Sequence, residues 1–204
     1  MQSAARHIPW NRCLVSGRAD AMRFDEFIHS SGITAVPVER FPGLVVEVGL
    51  PVGWYPFEGD VGVRVWACRS DPCIDVFCAN AVLTMHRIET RLDAADAFAM
   101  LVEQQLQTVA GTRELTRALS AATEGPGAMG LLRMEITDGV GVIESLTRSR
   151  IVAVEGETMV SQLTTTALRD SPANRAAVWM TLRSGDASGS HRGGAPITGT
   201  RDRH

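Results

Sequence analysis

The chain has 204 residues and a mass of 22.0 kDa, the size of one ordinary domain. Its net charge of -3 gives no electrostatic reason to expect a nucleic-acid or membrane surface. All 20 basic residues are Arg, which excludes Schiff-base chemistry on Lys and the Lys-bearing phosphate loop.

The first part of the chain predicts one short helix and four strands. Phe24, Phe27 and Ile28 fall at helical spacing, which predicts an amphipathic helix over residues 20–29. Further along, β-branched runs and the alternation of apolar with polar residues predict strands at 36–38, 44–50, 63–68 and 76–89.

The periodicity changes to that of a helix after residue 92. Asp93 is a capping residue, and Phe98 and Leu101 begin an apolar stripe that continues to residue 109. Gly111 follows as a residue that stops helices. The pattern predicts a helix over residues 93–110.

After this helix the sequence predicts four more strands and a closing helix. The strands are expected at 115–121, 132–137, 142–154 and 159–168. Asp138-Gly139 is a hairpin turn signal between two of them. Ser171 as a cap and Pro172 at the first helical position predict a second helix that runs to about residue 183.

Strands joined by short turns, with helices between and after them, predict an α+β fold. We expect a mainly antiparallel β-sheet flanked by helices, layered as an α/β/α sandwich. Residues 1–35 form an N-terminal extension that contains the short helix, and residues 36–184 form the domain. Residues 185–204 are rich in Gly and Arg and almost without apolar groups, so we expect a disordered tail.

Two segments resemble a known fold family. Residues 46–54, Val-Glu-Val-Gly-Leu-Pro-Val-Gly-Trp, resemble the opening strand of PsbP-like proteins, which closes on Pro-x-Gly-Trp. Residues 77–89 with the following helix resemble the actinobacterial LpqN/LpqT family of that fold. The resemblance covers roughly residues 35–182 and implies a fold of non-catalytic binding and accessory proteins. Many members of that family are exported lipoproteins, whereas this sequence shows neither their signal nor their lipidated Cys.

Three aromatic or imidazole side chains are candidate ligand contacts. Trp54 lies at a strand end and Trp66 within a strand, so the two rings could line one groove for an amphiphile or a peptide. Core packing is the simpler interpretation of both rings. His86 lies in a strand with Thr84 and Ile88 as same-face neighbours, a pattern that favours a partly buried histidine.

Two arginines complete the set of candidate ligand-binding residues. Arg148 and Arg150 project from one face of the strand at 142–154, and Glu144 precedes Arg148 by four residues on that face. Arg pairs on a sheet bind carboxylate or phosphate groups bidentately, although most form cross-strand ion pairs. No residue is assigned a catalytic role.

Three cysteines follow a C-x4-C-x4-C spacing: Cys68, Cys73 and Cys78. Zinc sites use tighter pairs and four ligands, so we expect no metal here. The favoured interpretation is inert, reduced thiols, and a redox-labile pair of Cys68 with Cys78 across a hairpin is the alternative.

Residues 125–130, Gly-Pro-Gly-Ala-Met-Gly, spell the G-x-G-x-x-G pattern of dinucleotide sites. Such a site needs the loop to open a helix, so that free amide groups bind the pyrophosphate. Here the loop leads into an alternating strand, and its second residue, Pro126, has no amide hydrogen. We predict a hairpin connection and no cofactor.

Together these features predict a non-enzymatic binding or accessory module that uses an apolar groove between sheet and helices. Its partner is expected to be a protein or a small amphiphilic molecule. A carrier of a lipid-like ligand is the first alternative, and a hydrolase that uses His86 with a nearby carboxylate or thiol is the second. We expect no membrane span and, because no apolar secretory run begins the sequence, a cytoplasmic location.

Overall fold

The structure is a computed structural model that describes residues 22–185. Within this range the helices are α1 (Phe24–Ser30) and α2 (Ala94–Thr108). The strands are β1 (Ala35–Pro37), β2 (Leu44–Gly49), β3 (Trp54–Phe57), β4 (Val63–Cys68), β5 (Asn80–Ile88), β6 (Thr112–Ala121), β7 (Ala128–Asp138), β8 (Gly141–Val154), β9 (Glu157–Leu168) and β10 (Trp179–Ser184). One turn of 3-10 helix spans Arg175–Ala177. The predictions for residues 1–21 and for the tail beyond Gly185 lie outside the described residues.

The main sheet has eight strands and is antiparallel throughout. Seven of them follow the order β3-β4-β5-β9-β8-β7-β6, and β1 pairs with residues 86–88 of β5. The two long strands β8 and β9, of 14 and 12 residues, pair along nearly their whole length. The prediction of an α+β fold built on a mainly antiparallel sheet is confirmed.

The two faces of the sheet are buried against different elements. Side chains alternate along β8 and β9, so Ile151 and Val160 belong to one core cluster while Val152 and Met159 belong to the other. Helices α1 and α2 pack on the first face, which we call the helix face. Strands β2 and β10 pair as a two-stranded ribbon and pack on the second, which we call the ribbon face.

The predicted closing helix over residues 171–183 is wrong. A single turn of 3-10 helix follows Pro172, and β10 then pairs with β2 from Gly49 to Leu44. In β10, Met180 and Leu182 are 8% and 1% exposed while their neighbours face outward, which is the period of a strand. Among the described residues the helices therefore lie on one face only, and a ribbon takes the place of the second helical layer.

The helix predicted at 93–110 is confirmed as α2. The Asp93 carboxylate accepts hydrogen bonds from the backbone N–H groups of Ala95 and Asp96 at 2.8 and 3.2 Å, and so caps the helix. Phe98 and Leu101 pack its apolar stripe onto the helix face. The cap and the stripe thus act as the sequence indicates.

The glycine-rich segment 125–130 forms the end of the hairpin connection between β6 and β7 and the first residues of β7, so the predicted hairpin is confirmed. Gly125 has a φ of +71°, and a Cβ atom there would overlap the backbone carbonyl of Leu182 in β10. The Arg150 guanidinium donates from Nη2 to the carbonyls of Glu124 and Pro126 at 2.6 and 3.1 Å. The glycine therefore permits a close approach between hairpin and ribbon.

Candidate functional site

The ribbon covers only part of the ribbon face. Its apolar side chains pack against β5 and β9, where Leu83 and Leu163 are completely buried. Register places a further group of residues on the same face of β6, β7 and β8, and these remain partly or fully exposed: Ala118, Met129, Leu131, Arg133, Leu146 and Arg148. This open half of the ribbon face is where a ligand could reach the sheet.

A cleft of about 420 Å³ lies between the open half and the segment 173–176; we call it the Arg148 pocket. Its size is within the range of roughly 300–1,000 Å³ that is usual for small-molecule sites. Apolar and charged walls are mixed in it. The main lining side chains are Leu115, Leu131, Leu146, Ala173, Ala176, Arg133, Arg148, Arg175, Glu144 and Asn174.

Arg148 is a partly buried cation of this pocket with little compensation from polar neighbours. In the described part of the chain, its buried Nη1 atom has no hydrogen-bond partner, and its Nη2 atom donates only to the Ala176 carbonyl at 3.4 Å. Within residues 22–185 it forms no salt bridge, and burial lowers the pKa of its guanidinium from the ordinary value. An arginine stays charged in proteins, so this is a desolvated positive charge that an anion would stabilise.

Glu144 does not neutralise Arg148, although the two residues share a face. Its Oε2 atom lies 2.8 Å from Arg175 Nη2, and its Oε1 atom lies 3.5 Å from Arg169 Nε. Arg175 also donates to the Leu168 carbonyl at 2.8 Å. The carboxylate is thus occupied by two other arginines, and the pocket keeps an excess of positive charge.

The outer wall of the pocket is held in place by a buried polar link that the sequence analysis missed. Ser171 Oγ donates to Asp71 Oδ2 at 2.7 Å and accepts from the Ala173 N–H at 3.0 Å. Asp71, only 3% exposed, also accepts from the Cys73 N–H at 3.0 Å. Ser171-Pro172 indicates the start of a helix by its local sequence, whereas in the structure the Ser171 hydroxyl forms this link.

The structure separates the two arginines that the sequence paired. Arg150 lies on the same face as Arg148, but it is 4% exposed and its guanidinium binds the carbonyls of the β6–β7 connection. Burial lowers the pKa of Arg150 as well, with Glu124 acting in the opposite direction. Arg148 therefore lines the pocket, whereas Arg150 holds the hairpin.

The two predicted tryptophans lie on the ribbon face at the opposite end of the sheet. Trp54 in β3 is 8% exposed and belongs to the core beneath the ribbon, and Trp66 in β4 is partly buried against the same core. Strands β5 and β9 stand between these rings and Arg148 in β8. The structure does not bring the tryptophans and the arginine into one groove.

His86 faces the other side of the sheet, opposite Val160 of β9 and Pro37 of β1. Burial lowers the pKa of its imidazole. A catalytic histidine needs a partner within hydrogen-bond reach, and no thiol or carboxylate among residues 22–185 offers one. His86 is thus separate from the Arg148 pocket.

The three cysteines of the C-x4-C-x4-C segment are free thiols. The pKa of Cys73 is raised first by burial and then by the charge of Asp71. The pKa of Cys78 is raised first by burial and then by its electrostatic interaction with Cys68. Among the described residues no three His, Cys, Asp or Glu side chains converge in a way that could hold a metal ion. The higher pKa values reduce the thiolate fraction at neutral pH and with it the reactivity.

Comparisons with known proteins give a likeness of fold. No family model matches the sequence, and no curated protein sequence matches it. The structure is similar to the crystal structure of LpqN, a protein involved in cell envelope biogenesis of Mycobacterium tuberculosis, with a TM-score of 0.59 and 18% identity over 72% of this chain and 86% of that one. A Bacteroides thetaiotaomicron structure matches with a TM-score of 0.36 and 12% identity over 70% of this chain and 46% of that one, too low to carry an argument. Neither α1 nor α2 has the length and apolar character that a membrane-crossing helix needs.

Proposed function

We propose that this chain is a non-enzymatic accessory protein with a PsbP-like fold, related to the LpqN/LpqT family, that binds a small amphiphilic ligand in the Arg148 pocket. The likeness to LpqN supports the fold, and the mixed walls of the pocket support the kind of ligand. Ligand sites combine apolar walls with a few polar groups that fix the orientation, and this cleft has both.

One observation carries the proposal: the half of the ribbon face that no element within residues 22–185 covers. Leu131 and Leu146 are partly exposed there beside Arg148, and Met129 is exposed at the margin. Elsewhere on this face the ribbon excludes water from the sheet. A ligand with an apolar body and a polar end would cover the leucines and satisfy the guanidinium at once.

The likeness to LpqN also supports a wider proposal, an accessory role in cell envelope biogenesis. The proposed location is the cytoplasm. Fractionation of cells that produce the chain, followed by immunoblotting, tests this location. Recovery in the membrane or cell-wall fraction would contradict it and leave the ligand proposal untouched.

Native mass spectrometry tests the proposed ligand site. The protein is incubated with a total lipid extract, separated from excess lipid, and compared with Leu146→Trp, in which the indole occupies the pocket. Val140→Trp in the exposed β7–β8 turn is the matched control. We expect a bound amphiphile in the wild type and the control and none in Leu146→Trp, with equal circular dichroism for all three. Equal retention by Leu146→Trp, or no bound amphiphile in the wild type, would contradict the proposal.

A further inference from the structure

We infer that the ligand of the Arg148 pocket has an anionic head group, a carboxylate or a phosphate, which Arg148 and Arg133 bind while its apolar part lies over Leu131, Leu146 and Leu115. The inference rests on the proposed function and adds the charge and the orientation of the ligand. It follows from strand register, from the charge balance and from a bulge in β6.

Register places the two arginines where they can share one head group. Leu131 of β7 is directly opposite Arg148 of β8, and Arg133 is directly opposite Leu146. Arg133 and Arg148 are therefore diagonal neighbours on one face, a relationship in which residues are about 7–8 Å apart and within reach of long side chains. Two guanidinium groups at that spacing can converge on one carboxylate or phosphate, the planar acceptors that arginine binds bidentately.

The charge balance of the pocket favours an anion. Neither Arg133 nor Arg148 forms a salt bridge among residues 22–185, whereas Glu144 is bound by Arg175 and Arg169. The lining thus has an excess of two positive charges, one of them on a partly desolvated guanidinium. A neutral head group would leave Arg148 uncompensated, and a cationic one would be repelled.

A bulge in β6 completes the apolar wall. The pairing of β6 with β7 shifts between Glu114 and Thr116, so Leu115 is an extra residue with no partner in β7. Bulges redirect side chains, and Leu115, 36% exposed, lines the pocket. Together with Leu131 and Leu146 it forms an apolar surface beside the arginines, where an alkyl chain would be shielded from water.

The test is isothermal titration calorimetry with four probes that share a twelve-carbon chain. The ionic probes are used below their critical micelle concentrations and the neutral alcohol below its solubility limit. Dodecanoate and dodecyl phosphate are the anionic arms, dodecanol is the neutral arm, and dodecyltrimethylammonium is the cationic arm. We expect at least one anion to bind more than tenfold tighter than dodecanol and the cation to bind weakest. The tighter of the two anions distinguishes a fatty-acid-like from a phospholipid-like source.

Variants then locate the head group. Arg148→Met keeps an unbranched apolar stem but removes the guanidinium and its charge, and should reduce affinity for the preferred anion at least tenfold without affecting the binding of dodecanol. Arg133→Met replaces an exposed side chain, so the protein should still fold. It should reduce the affinity for the anion in the same way. Arg64→Met is the control, because Arg64 in β4 donates to the Glu39 carbonyl and is remote from the pocket. Thermal unfolding verifies that each variant is folded.

The outcomes separate this inference from the proposed function. The anionic head group would be overturned if dodecanol bound as tightly as the anions and Arg148→Met and Arg133→Met lost no affinity. If Leu146→Trp still lost affinity in that case, the amphiphile site would be retained. No binding of any probe would overturn both.

Discussion

The link between Ser171 and Asp71 gives the sharpest test of how the pocket is held together. In Ser171→Ala the buried carboxylate of Asp71 loses its hydroxyl donor at 2.7 Å, and the Ala173 N–H loses its acceptor at 3.0 Å. Asp71 is 3% exposed, so water cannot readily replace the lost donor. Hydrogen bonds to charged groups contribute about 1.5–3 kcal/mol, and we expect a loss of about 2 kcal/mol.

For a chain of this length, 1 kcal/mol corresponds to about 2–4 °C in Tm, so Ser171→Ala should unfold about 4–8 °C below the wild type. Urea titration followed by circular dichroism gives the free energy of unfolding independently. Ser184→Ala, at an exposed serine near the end of β10, is the matched control and should stay within about 0.5 kcal/mol of the wild type.

A double-mutant cycle shows whether the two side chains act on each other. Asp71→Ala and Ser171→Ala should be non-additive, with a coupling energy of about 1–3 kcal/mol, since each removes the partner of the other. A Ser171→Ala variant as stable as Ser184→Ala, or an additive cycle, would refute the reasoning that this link fixes the wall of the pocket.

Three further predictions concern two partly buried titratable side chains and one tightly packed glycine. Burial lowers the pKa of His86 below its ordinary 6.5, so the unfolded chain binds the proton first as the pH falls. The free energy of unfolding should therefore decrease as the pH drops from about 6.5 towards the folded-state pKa. In urea titrations at pH 5–7, His86→Gln should flatten this decrease, whereas the control variant His29→Gln, at an exposed position, should not. Because the pKa of Cys78 is raised, iodoacetamide should alkylate this thiol more slowly than it alkylates glutathione at pH 7.5. Peptide mass spectrometry measures the rate, and a rate equal to or faster than that of glutathione would contradict the prediction. Gly125→Ala should lower the free energy of unfolding by more than about 2 kcal/mol through left-handed strain and overlap with β10, whereas Gly139→Ala, which meets open space, should be tolerated.

Elements whose periodicity agrees with their local signals were predictable. Asp93 and the stripe that begins at Phe98 specify α2 within one segment of chain, because a cap and a 3.6-residue period need no distant partner. Asp138-Gly139 likewise specifies the hairpin between β7 and β8. For these elements the sequence alone determined the structure, including the hairpin rather than a nucleotide loop at residues 125–130.

The ribbon required tertiary information. Ser171 and Pro172 indicate a helix locally, but Met180 and Leu182 bury their side chains only when β10 pairs with β2, a strand about 130 residues earlier in the chain. β3 was missed for a related reason: it has only four residues, one of them a proline, and is recognisable mainly through its pairing with β4.

The candidate site shows the same division. The two-residue spacing of Arg148 and Arg150 determined that they share a face of β8, because the side-chain period of a strand is two. Only the tertiary structure decided their different roles. The carbonyls of the β6–β7 connection accept hydrogen bonds from Arg150, while Glu144 pairs with Arg175 and leaves Arg148 without a counter-charge among the described residues. Periodicity is a local property of the chain. Which half of the sheet the ribbon covers, by contrast, depends on contacts between residues far apart in sequence. The same contacts decide which charge in the other half has no partner among the described residues.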